Sequence, residues 1–112
     1  MHSTPRIVDL DVDDVRAGLA DGSMLVVDVR EPQELAQGMI PASIPMPLSR
    51  FDPSALPTGD DRRLVFSCAS GVRSRIAIEA AREAGLDVSE HLAPGFKGWV
   101  AAGGEVVRDQ EK

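Results

Sequence analysis

Apolar and polar positions along the chain fall into two alternating patterns. Met24-Leu25-Val26-Val27-Asp28-Val29 is an unbroken apolar run rich in β-branched residues, as a strand covered on both faces requires, and Arg63-Leu64-Val65-Phe66 repeats that pattern. Ile7-Val8 reads as a short edge strand and Val88 to Leu92 as a further strand. Helical spacing separates these runs. From Asp11 to Leu19 the residues Val12, Val15 and Leu19 share one face, with Asp11 placed to cap the start and Gly22 to follow the end. Glu31 to Ala36 predicts a short helix that tolerates Pro32 in its first turn and ends at Gly38. Ser74 to Ala84 sets Ile76, Ala77, Ala80, Ala81 and Ala84 against Arg75, Glu79, Arg82 and Glu83. Gly95 to Ala102 predicts a last helix carrying Phe96 and Trp99.

Prolines shape the connections. Ser43-Ile44-Pro45-Met46-Pro47 is extended, because each proline turns its predecessor away from helix, and Arg50 to Asp61 is a loop or one loose turn. Strands alternating with helices predict an α/β fold: a mainly parallel central sheet with helices on both faces, in one domain over residues 1–112. In such sheets a site forms beyond the carboxyl ends of the strands, which is where Asp28 and Cys68 fall.

Composition narrows the function classes. Apolar residues make up 43% and charged residues 27% of the 112, enough hydrophobic content for a packed core and too much for a disordered acidic chain. The net charge of −6 repels phosphate backbones and anionic membranes, so neither nucleic acid nor a membrane is an expected partner. No apolar run reaches membrane-spanning length or has the form of a signal peptide, which predicts a cytoplasmic protein. The single cysteine excludes an internal disulfide and suits a reducing compartment. His2 and His91 are far apart, so with one cysteine they give no metal-ligand spacing; neither metal nor cofactor is expected.

The chemistry concentrates in Cys68-Ala69-Ser70-Gly71-Val72-Arg73-Ser74, between a predicted strand and a predicted helix. Such a turn directs successive backbone N–H groups inward and adds the positive end of the helix dipole, making an anion cradle. Gly71 supplies the conformation that lets the loop curl. Arg73 adds a permanent charge able to brace loop carbonyls or bind substrate. Together they predict a Cys68 thiol below its free value of about 8.5 and therefore a thiolate nucleophile. A lone cysteine is more often an inert core filler, but the small residues Ala69, Ser70 and Gly71 around this one would pack a core poorly.

The loop, with Val27-Asp28-Val29-Arg30-Glu31-Pro32, Gly38-Met39-Ile40-Pro41-Ala42-Ser43-Ile44 and Gly95-Phe96-Lys97-Gly98-Trp99, resembles the rhodanese-like domain family over about residues 25–103. The resemblance implies a sulfurtransferase with Cys68 as sulfur-bearing nucleophile, carrying a persulfide. Ala69 to Arg73, extended to Ser74, would be its cradle and substrate-binding loop. Asp28 and Arg30 would lie at the site's rim, Asp28 supporting neighbouring loops and Arg30 adding positive potential. From the residues alone, Asp28 could equally cap the next helix and Arg30 lie on the surface. A small-molecule sulfur donor such as thiosulfate or a low-molecular-weight persulfide and a small thiophilic acceptor are the implied partners; the alternative is a sulfur-relay or partner-binding rhodanese module with a specific protein acceptor. A phosphatase of similar fold is a weaker match, because only four residues separate Cys68 from Arg73. Met39 stands where the family often has histidine, and Pro41-Ala42-Ser43 where it often has Pro-Gly-Ala. Pro94-Gly95 replaces a usual pair of glycines, and Ala69 follows the cysteine where thiosulfate-preferring relatives often carry a cation.

Overall fold

A computed structural model describes residues 6–57 and 61–108. Five strands, β1 (Val8–Leu10), β2 (Met24–Asp28), β3 (Ile44–Pro45), β4 (Arg63–Ser67) and β5 (Glu90–Leu92), form one sheet in the order β1-β5-β4-β2-β3, with every pairing parallel. Four α-helices, α1 (Val12–Asp21), α2 (Pro32–Leu35), α3 (Arg73–Glu83) and α4 (Gly95–Ala101), connect or follow the strands. The proline-rich stretch after β3 makes two 3₁₀ turns, Leu48–Arg50 and Pro53–Ala55; positions 58–60 of the expected loop lie outside the described residues. No helix of the described residues is long and apolar enough to cross a membrane.

The continuous apolar runs become the buried strands because both sheet faces are covered. Val27 and Phe66 face Ala77, Ile78 and Ala81 of α3, while Val26 and Val65 face Val12 and Val15 of α1 and Trp99 of α4. Helix α1 starts where its cap predicts: Asp11 accepts from the Asp14 amide at 2.8 Å, and Asp14 accepts from the Asp11 amide at 3.1 Å.

The buried face of α3 differs from the expected one. It is Ser74, Ala77, Ile78 and Ala81, a stripe at i, i+3, i+4 and i+7, while Ile76 is 50% exposed. Ile76 lies about 200° around the helix from both Ser74 and Ile78, so it cannot share their face.

Strand order positions the site. From β2 the chain moves outward to β3, then returns to central β4 and moves the other way to β5, so the carboxyl ends of neighbouring β2 and β4 form the topological switch point of the sheet. Asp28 and Ser67 are register partners there, and the Val29 amide donates to the Ser67 carbonyl at 2.8 Å. The loops beginning at Val29 and Cys68 therefore leave the sheet side by side.

Candidate active site

Cys68 leaves the central strand and its side chain is 1% exposed. The Gly71 amide donates to its Sγ at 3.1 Å, and Ser74 Oγ lies 3.7 Å from it. Burial pushes the thiol up, but hydrogen bonds from the Ser74 amide and hydroxyl and from the Ser70 and Gly71 amides outweigh that penalty, and the net direction is below the ordinary thiol value. The loop backbone thus curls around the sulfur, with the Gly71 amide aimed at it. Ser70 and Val72 turn their side chains outward, Val72 being 66% exposed, and Ala69 is half-buried.

Two glycines make this curl sterically possible. Gly71 has φ +95°, and a Cβ there would run into the Ala93 carbonyl oxygen. Gly95 has φ +69°, and a Cβ there would strike the backbone of Ala69 and Cys68. The close approach lets the start of α4 grip the loop: Phe96 N donates to Cys68 O at 2.7 Å and Lys97 N to Ala69 O at 3.1 Å. Only the second residue of Pro94-Gly95 needs to be glycine for this contact.

Of the two roles open to Arg73, bracing loop carbonyls or binding substrate, its hydrogen bonds show neither directly; they go to another element. Arg73 donates through both terminal nitrogens to the Glu34 carboxylate of α2, at 2.7 and 2.8 Å. The Arg73 guanidinium holds the Glu34 carboxyl down at about 2. Glu34 also accepts from the Glu31 amide at 2.9 Å, while Glu31 binds the Ser49 hydroxyl at 2.6 Å, so α2 is tied to both the Cys68 loop and the first 3₁₀ turn. Nothing local in the sequence marks Glu34 as the partner.

Arg30 is neither on the surface nor a rim charge. It is 3% exposed, and its Nη2 and Nε donate to the buried Asp28 carboxylate at 2.8 and 3.0 Å. It also donates to the Gly38 carbonyl at 2.7 Å and lies over the Phe96 ring at 4.0 Å. Its charge is consumed by Asp28 and by the return from α2, so it adds no open positive potential. Asp28 supports these loops through Arg30, including the Arg30 amide, and is not the α2 cap, which is Glu31.

Sequence reasoning missed two further residues. Ser74 Oγ is 2.7 Å from His91 Nδ1, and His91 Nε2 is 2.7 Å from Asp9 Oδ1. Parallel pairing of β1 with β5 sets Asp9 opposite His91, a relationship no local pattern encodes.

A family model for the rhodanese-like domain matches residues 11–102. The chain belongs to the rhodanese-like domain family. It is 38% identical over 81 residues to an uncharacterised Synechocystis protein, covering 72% of this chain and 45% of that one. It is 32% identical over 100 residues to a sulfurtransferase of Allochromatium vinosum, covering 88% of this chain and 94% of that one. Among solved structures, a rhodanese-related protein of Thermoplasma volcanium superposes with a TM-score of 0.77 at 31% identity, covering 92% of this chain and 98% of that one. The chain therefore spans under half of one relative and nearly all of the other two. The rhodanese-like match extends N-terminally past the segments that suggested it, to take in α1.

Two departures from the family pattern now have locations. Met39 is buried, and its backbone pairs with Val107 in both directions, at 2.7 and 2.9 Å, so its segment is held without a polar side chain. Ala42 takes a left-handed φ of 63° where the family often has glycine.

Proposed function

We propose that the protein is a sulfurtransferase that carries sulfane sulfur on Cys68. The observation that carries this reading is the Cys68 sulfur held by the Gly71 amide at 3.1 Å inside a backbone cradle, an arrangement that favours sulfur as an anion. The thiolate attacks the sulfane sulfur of a donor such as thiosulfate or a low-molecular-weight persulfide. A new S–S bond forms as the donor's own S–S bond breaks, and the leaving sulfite or thiolate takes the bonding pair. A thiophilic acceptor then attacks the outer sulfur, and Cys68 departs as thiolate. The name of the Allochromatium relative supports the reaction class.

The amides of Ala69 to Ser74 are assigned to the persulfide and the substrate's anionic end, Arg73 to holding that loop through Glu34 with its remaining Nε–H and exposed edge toward the substrate, and Asp28 and Arg30 to support. The cradle of four intervening residues suits one added sulfur atom and is small for a phosphoryl group. Val72 in the cradle and Ile76 in the first turn of α3, 66% and 50% exposed, favour a second reading in which the acceptor is a protein. The free thiol suits the cytoplasm in either case.

Turnover with thiosulfate and cyanide, read as thiocyanate, tests the first reading; it is expected in the native protein and lost in Cys68→Ser. Transfer to candidate proteins with none to cyanide selects the second. Robust aryl phosphate hydrolysis that disappears in Cys68→Ser contradicts both.

A further inference from the structure

Behind Cys68 a continuous polar chain runs along the face of the sheet that α3 covers. Sγ lies 3.7 Å from Ser74 Oγ, Ser74 Oγ lies 2.7 Å from His91 Nδ1, and His91 Nε2 lies 2.7 Å from Asp9 Oδ1. Cys68, Ser74 and His91 are all buried, and only Asp9 reaches solvent. Its order fixes the protons. The His91 contact, aided by Arg75, holds the Asp9 carboxyl below the usual carboxylate range, so Asp9 accepts only. His91 Nε2 therefore donates to Asp9, which in the neutral ring leaves Nδ1 to accept the Ser74 hydroxyl. The remaining Ser74 lone pairs face the Cys68 thiol.

We propose that Ser74, His91 and Asp9 form a relay that removes the thiol proton of Cys68 inward and returns it after transfer. The Cys68 S–H bond breaks with the electron pair left on sulfur. Its proton passes to Ser74 Oγ as the Ser74 hydroxyl proton passes to His91 Nδ1, and the imidazolium is balanced by Asp9. Ser74 then donates to the thiolate, so one contact serves both protonation states. A cysteine that is 1% exposed has little direct access to water as a base, which is why an internal acceptor matters. The other charged groups about His91 are already engaged: Arg75 reaches Asp9 at 3.3 Å, and Glu90 pairs with Arg63 at 2.9 Å. His91 and Asp9 are positioning residues, acting on Cys68 through Ser74.

The proposal rests on Cys68 acting as the nucleophile of the sulfur-transfer reading, yet its test needs no sulfur donor. Alkylation of Cys68 by iodoacetamide is measured as a function of pH in the native protein, His91→Asn, Ser74→Ala, Asp9→Asn and the Ser74→Ala/His91→Asn double variant. His91→Asn keeps an acceptor for Ser74 and loses the basic nitrogen. Its midpoint is expected to rise by about one pH unit, with alkylation about tenfold slower at neutral pH. Asp9→Asn, at an exposed position that spares the fold, should shift the same way by less, and the double variant should shift no further than the larger single one. Folded His91→Asn and Asp9→Asn proteins with the native pH profile, or fully additive shifts in the double variant, overturn the relay. Sulfur loading of the native protein is scored separately. Shifted profiles without loading retain the relay and defeat the sulfur-transfer reading; loading with unshifted profiles does the reverse.

Discussion

Arg73 and Glu34, 39 residues apart, meet in a two-pronged ion pair that ties the Cys68 loop to α2. The pair gives Arg73 a fixed orientation at the end of the loop that carries Cys68. Arg73→Lys keeps the charge and loses the planar fork, so kcat/KM for sulfur transfer should fall on the order of tenfold, the rate equivalent of one lost hydrogen bond. Arg73→Ala should fall further, because charge and loop attachment go together. Steady-state kinetics on variants shown to be folded by circular dichroism check this; equal rates in Arg73→Lys and the native protein would remove the need for the fork.

The same pair makes stability depend on acid. Glu34 titrates at about 2 in the folded protein against an ordinary value of 4.5, so the unfolded chain takes up its proton first as pH falls. The contribution is fully present above about pH 4.5 and is lost toward pH 2. For a half-buried pair it amounts to about 1 kcal/mol. Urea unfolding of native and Glu34→Gln proteins should differ at neutral pH and converge at the acid end of that window.

Arg30 and Asp28 carry a larger penalty because both are buried. Arg30→Met leaves the Asp28 carboxylate without its partner and should cost about 3 kcal/mol in urea unfolding, while a double change with Asp28→Asn should recover part of it. An Arg30→Met protein as stable as the native one would contradict the support role of the pair.

Ala42 offers a change in the opposite direction. Its φ of 63° is unfavourable for a residue with a Cβ, and Ala42→Gly should stabilise the fold by about 1 kcal/mol, raising Tm by about 4 °C or more. A lower Tm would show that the turn is not strained.

The strands were legible because β2 and β4 are buried on both faces and their sequences show it as unbroken apolar runs. The Cys68 cradle was legible because it is local: a cysteine at a strand end, small residues, a glycine and a helix start lie within seven positions. What could not be read was set by distance along the chain. Glu34, His91 and Asp9 reach the site through strand order and register, and no spacing in the sequence brings them together. Arg30 was misplaced for a related reason: a charged side chain reads as exposed until its buried partner is known. Ile76 shows the limit of grouping apolar residues without their angular position on the helix.

The central claim is that Cys68 carries the transferred sulfur, and intact-mass spectrometry tests it most directly. After incubation with thiosulfate or a low-molecular-weight persulfide, the native protein should gain the mass of one sulfur atom and lose it on reduction, whereas Cys68→Ser should gain none. A native protein that gains no sulfur, or a Cys68→Ser protein that gains as much, would contradict the account.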